Sequence, residues 1–103
     1  MVESTYKEYY DNGQIRYYDN LKDGKKDGIC KKWYEDGQLM CDSNYSNGKE
    51  EGKSKWWRDK GQKWFDCNFK NGELHGRLKC WHPSGKLWTD RIYDNGVKVD
   101  NEL

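Results

Sequence analysis

The chain has 103 residues and a mass of 12.4 kDa, enough for one domain and too little for two ordinary cores. Only 33% of residues are hydrophobic against 36% charged, with no run of about 18 apolar residues to cross a bilayer as a helix. Nineteen basic and 18 acidic residues leave a net charge of +1, which excludes a global field for nucleic acid or anionic lipid, and six Trp, eight Tyr and a single Pro exclude disorder.

Met1 to Tyr10 carries Glu3, Lys7 and Glu8 where a signal peptide needs an apolar stretch, so a cytoplasmic location is expected. From there the chain repeats. All eleven glycines fall into three columns with a spacing of 24: Gly13, Gly37, Gly61 and Gly85; Gly24, Gly48, Gly72 and Gly96; and Gly28, Gly52 and Gly76, with Asp100 in the fourth place. Tyr9, Trp33, Trp57 and Trp81 keep the same period, as do Lys7, Lys31, Lys55 and Lys79. Residues 1–103 therefore read as a single domain of four repeats, about 6–29, 30–53, 54–77 and 78–101.

Glycine recurs too often for stable helices. Within each repeat, Asn12-Gly13 and its equivalents mark one turn, and Asp23-Gly24, Asn47-Gly48, Asn71-Gly72 and Asn95-Gly96 mark a second. Two turns per repeat predict an all-β fold, an elongated single-layer meander of about eight antiparallel strands.

The first turn allows two registers. A two-residue loop sets the Lys column against Asp42, Asp66 and Asp90, whereas a three-residue loop closed by a glycine bulge sets Trp33 against Leu39 and Trp81 against Leu87. The second is favoured because Pro83 in His82-Pro83-Ser84-Gly85 then holds a preferred turn position. That register predicts a core face of Tyr9, Trp33, Trp57 and Trp81 with Ile15, Leu39, Leu87, Tyr17, Phe65, Leu21, Tyr45, Phe69 and Tyr93. The opposite face then carries Glu8, Lys32, Trp56 and Cys80; Tyr10, Tyr34, Arg58 and His82; and Arg16, Met40, Trp64 and Trp88.

Trp33 to Leu39 with Asn47 to Gly52, and Asn71-Gly72-Glu73-Leu74-His75-Gly76, resemble the MORN repeat, in particular the variant of bacterial YwqK-type antitoxin proteins. The resemblance covers nearly the whole chain and implies an antiparallel β-array acting as a binding module or scaffold. Some members associate with membranes or phosphoinositides, and the YwqK type neutralises a partner toxin. The bacterial cell or, for a viral chain, the host cytoplasm is the implied location.

Catalytic, metal and cofactor sites are not expected. Gly48-Lys49-Glu50-Glu51-Gly52-Lys53-Ser54 is one residue short of a phosphate-binding loop and puts two glutamates where phosphate would lie, and the repeat accounts for it. Cys30, Cys41, Cys67 and Cys80 with His75 and His82 lack zinc-ligand spacing. The favoured register puts Cys41 and Cys67 on one face and Cys30 and Cys80 on the other, too far apart for disulfides. No nucleophile and base form a recognisable pair.

Trp56, Arg58, Trp64, His82 and Trp88 gather rings and cations on one face of repeats three and four, pointing to a protein or peptide partner. Ordinary sheet packing, or a core on this same face, is the competing account of so many Trp residues. Base stacking on the same rings is disfavoured by the net charge. Membrane-surface binding would use the Lys column with Lys25 and Lys26, against Asp27, Glu50 and Glu51. An uncovered edge strand offers a route to a homodimer.

Overall fold

A computed structural model of the protein describes residues 2–99. They form one antiparallel sheet: β1 (Glu3–Tyr9), β2 (Ile15–Lys22), β3 (Lys25–Trp33), β4 (Leu39–Ser46), β5 (Lys49–Glu50), β6 (Gly52–Trp57), β7 (Lys63–Lys70), β8 (Glu73–Leu74), β9 (Gly76–Trp81), β10 (Leu87–Asp94) and β11 (Val97–Val99). The spatial order is β1-β2-β3-β4-β6-β7-β9-β10-β11, with β5 and β8 as detached beginnings of the lines that β6 and β9 continue. Overall dimensions of 47 × 37 × 11 Å make it a single layer. Asp100 lies outside the described residues.

Each turn follows from its residues. At Asn47-Gly48 both central residues have positive φ, 51° and 82°, the pair that a two-residue type I′ loop requires, and Ser46 faces Lys49 across it. The other turn has a three-residue loop in all four repeats. Tyr34 N–H donates to Gln38 O at 2.8 Å and Gly37 N–H to Tyr34 O at 3.0 Å, and the same pair of bonds recurs from Tyr10, Arg58 and His82. Pro83 thus occupies the expected turn position, where its lack of an N–H costs nothing.

The register contains both expected alternatives in succession. Next to the loop, Trp33 faces Leu39, as favoured; one step further Lys32 faces Cys41 and Lys31 faces Asp42. Met40 is the extra residue of a β-bulge, and Arg16, Trp64 and Trp88 hold that place in the other repeats. Because side chains alternate along a strand, a one-residue shift transfers everything beyond it to the opposite face. The expected core face is therefore corrected. Tyr9, Trp33, Trp57, Trp81, Ile15, Leu39 and Leu87 remain on one face, while Tyr17, Leu21, Phe65, Tyr45, Phe69 and Tyr93 move to the face of Trp56.

That second face holds the core. The buried residues, Asp19, Cys30, Cys41, Ser43, Ser54 and Cys67, all point to it. Small side chains occupy the middle of the sheet, flanked by rows of rings. All four cysteines are free and, by the alternation, share this face, so the expected split of Cys41 and Cys67 from Cys30 and Cys80 is corrected too. Burial pushes the Cys41 thiol up to about 11 and that of Cys67 to about 12.

The first face carries a row of alternating charge across six strands. Lys31 faces Asp42, Asp42 faces Lys55, Lys55 faces Asp66, Asp66 faces Lys79, and Lys79 faces Asp90. Opposite charges on neighbouring strands each contribute about 0.2–1 kcal/mol. Lys31, Lys55 and Lys79 thus each face an aspartate on a neighbouring strand, while Lys7 faces Tyr18.

Candidate functional site

The bulge shapes the surface of the third repeat. It puts two residues adjacent in sequence, Trp64 and Phe65, on the same face, where both rings meet Trp56. Trp56 stacks on Phe65 at 5.4 Å and receives the edge of Trp64 at 6.3 Å, while Trp64 and Phe65 meet at 5.7 Å and 72°. The Arg58 guanidinium sits 4.9 Å from the centre of the Trp64 ring, and its Nη2 donates to Trp81 O at 3.1 Å. From the second repeat, the Lys32 ammonium lies 5.2 Å from the Trp56 ring. Cations over aromatic faces are held by the ring quadrupole and keep one side free for solvent or a partner.

His82 and Trp88 form a separate stacked pair at 5.2 Å and 24°. Among the described residues no ring contact joins it to the Trp56 cluster. Pro83, next to His82, closes one wall of a shallow groove of about 500 Å³ whose other walls include Tyr34, Arg58, Gln62 and Trp64. Arg58 Nε and Gln62 Oε1 find no hydrogen-bond partner in the protein.

All five expected site residues therefore lie in two neighbouring clusters. Trp56 is half-buried and belongs to the packed layer, whereas Trp64 is 36% and Trp88 65% exposed. Phe65, assigned from the sequence to the other face, is a third member of the Trp56 cluster. A single-residue bulge leaves no mark in the sequence beyond making both registers of the hairpin chemically sensible.

Repeats are tied to one another at the same level. Tyr10 Oη donates to Trp33 O at 2.6 Å, Tyr34 Oη to Trp57 O at 2.6 Å, and Arg58 takes the equivalent place against Trp81. Arg58 thus serves both a clamp between repeats and the exposed Trp64 ring.

Toward the first repeat the same face becomes polar and ionic. Arg16 Nη2 and Glu8 Oε1 are 2.7 Å apart. Tyr17 Oη donates to the buried Asp19 at 2.6 Å, and Lys26 lies 3.9 Å from the same carboxylate. Burial, reinforced by the Asp19 hydrogen bond, raises the Tyr17 phenol far above its ordinary value. Among the described residues no group of three or more His, Cys, Asp or Glu side chains could hold a metal ion.

No curated protein and no solved structure matches the chain. The sequence pattern of one family does, described as the MORN repeat variant, over residues 3–23, 26–47 and 74–96. The unmatched stretch between them includes Trp56, Arg58 and Trp64, yet its turn hydrogen bonds are those of the other repeats. With more than half of its length matched and a hairpin meander of 24-residue units, the chain belongs to the MORN repeat variant family.

Proposed function

We propose that this protein is a non-enzymatic protein-binding module whose partner lies across the Trp56 face of repeats three and four, contacting Trp56, Arg58, Trp64, His82 and Trp88. MORN repeats are a non-catalytic class associated with protein and membrane binding. The observation that carries the choice is the exposure of Trp64 and Trp88 beside Arg58 and the groove. Large rings left in water contribute little to a fold, and Trp and Arg dominate interface hot spots because they join apolar area to a directed polar group. The alternating charge row argues against an anionic membrane, since every described lysine of that row from Lys31 onward faces an aspartate. Neutralisation of a bound toxin, as in YwqK-type proteins, is the specific form of binding that the partner's identity would decide.

The test is affinity capture from the native source with the parent and a Trp64→Ala, Trp88→Ala variant whose melting curve shows it folded. A specific protein held by the parent and lost by the variant supports the proposal. A partner held equally by both removes this surface as the site, and binding of the parent to anionic vesicles without any protein partner replaces the reading with the membrane one.

A further inference from the structure

The clamp between repeats carries a charge that the clamp itself does not use. Tyr10 and Tyr34 reach the carbonyls of Trp33 and Trp57 with neutral phenols, each at 2.6 Å. The third repeat makes the equivalent bond to Trp81 with Nη2 of Arg58 at 3.1 Å. A phenol suffices for this bond, so the positive charge of Arg58 is surplus to it. In the first repeat the cation of this face is paired, with Arg16 Nη2 2.7 Å from Glu8 Oε1. Among the described residues no ion pair involves Arg58 or Lys32. Glu50 shares the face through its pairing with Tyr45, yet it forms an ion pair with neither.

The two cations stand one at each ring of the Trp56–Trp64 pair, Lys32 5.2 Å from Trp56 and Arg58 4.9 Å from Trp64. Contact with the rings strips part of their hydration, so an incoming carboxylate gains more there than in open water. The groups lie on β3, β6, β7 and the loop between β6 and β7, with β1 and β2 to one side and β9 and β10 to the other. Described strands therefore bound the site on both sides.

We propose that the partner of the Trp56 face presents an acidic segment, whose carboxylates pair with Arg58 and Lys32 on either side of an apolar side chain seated on Trp64. This rests on the reading of that face as the binding surface and adds the chemistry it selects. The charge complement is local and small. Asp59 lines the same groove as Arg58, so a polyanion with a phosphate at every step meets repulsion there, whereas a segment with spaced carboxylates does not.

A phage-displayed library of random dodecapeptides, selected on the parent protein, tests it. Retained peptides are expected to carry more Asp and Glu than Lys and Arg. Made synthetically, they should bind about 2- to 5-fold more weakly to Arg58→Tyr and to Lys32→Gln, by fluorescence anisotropy. Arg58→Tyr installs the clamp residue of the first two repeats, which separates loss of charge from loss of the clamp, and Lys32→Gln removes a charge outside the clamp altogether. The Trp64→Ala, Trp88→Ala variant tells the two readings apart. Peptides that need those rings but carry no acidic excess, or that bind both charge variants as tightly as the parent, overturn the acidic segment and leave the binding face standing. Peptides indifferent to loss of the rings overturn both. A parent that retains no peptide, or that prefers phosphatidylserine vesicles or single-stranded DNA to the acidic peptides, also overturns the acidic segment.

Discussion

Tyr34→Phe isolates the clamp between repeats, because it removes one hydroxyl and keeps the ring. The phenol of repeat two donates to the Trp57 carbonyl of repeat three at 2.6 Å, a short and therefore well-made O–H···O bond. A neutral hydrogen bond contributes about 0.5–1.5 kcal/mol net. Tyr34 is half-buried, so water can reach part of the vacated site and the penalty for an orphaned carbonyl is reduced. The expected loss is about 1 kcal/mol, or about 4–8 °C in midpoint for a domain of this size. Tyr10→Phe removes the equivalent bond to Trp33. Because the two bonds use separate carbonyls in a nearest-neighbour array, the double variant should lose about 2 kcal/mol. Urea unfolding followed by circular dichroism reads these differences, with an unchanged slope showing that the variants unfold from the same state. Variants within about 0.3 kcal/mol of the parent would refute the claim that these phenols couple the repeats.

Two further outcomes follow from burial. In the folded protein Cys80, only part-buried, should react first with a thiol reagent, since Cys30, Cys41 and Cys67 are buried and burial pushes the Cys41 thiol up to about 11 and that of Cys67 to about 12. Four equal rates without denaturant would contradict the buried placement. Glu50 is raised above its ordinary carboxyl value mainly by burial, against the pull of Lys26. Its folded form holds the proton more tightly than the unfolded chain, so ionisation costs stability above the folded value and costs nothing below the unfolded one. Glu50→Gln should thus be stabilising at neutral pH, with the gain shrinking as pH falls through the ordinary carboxyl range; a pH-independent difference would sink this account.

The turns were legible because their geometry admits few residues: Asn71-Gly72 supplies two positive φ values in succession, and Gly61 closes the three-residue loop. The repeat length and the meander followed. What the sequence concealed was the bulge, since Trp64 reads equally well as a paired or an extra residue. That ambiguity of one position decided the faces of Tyr17, Phe65 and Cys41, and hence where the core lies. The Trp56–Trp64 contact survived it because the bulge leaves its extra residue, Trp64, on the face of Trp56. Phe65, one residue beyond, joins that same face instead of the opposite one.

The four repeats share their turns and carry a changing set of side chains along the 47 Å sheet. On the Trp56 face the first repeat presents Glu8, Tyr10 and Arg16, the second Lys32, Tyr34 and Met40, the third Trp56, Arg58 and Trp64, and the fourth Cys80, His82 and Trp88. Ionic character gives way to aromatic character in one direction. An elongated ligand laid along this face finds its two orientations inequivalent and is selected for one of them. Exchanging the order of the repeats would reverse that preference while leaving every turn intact.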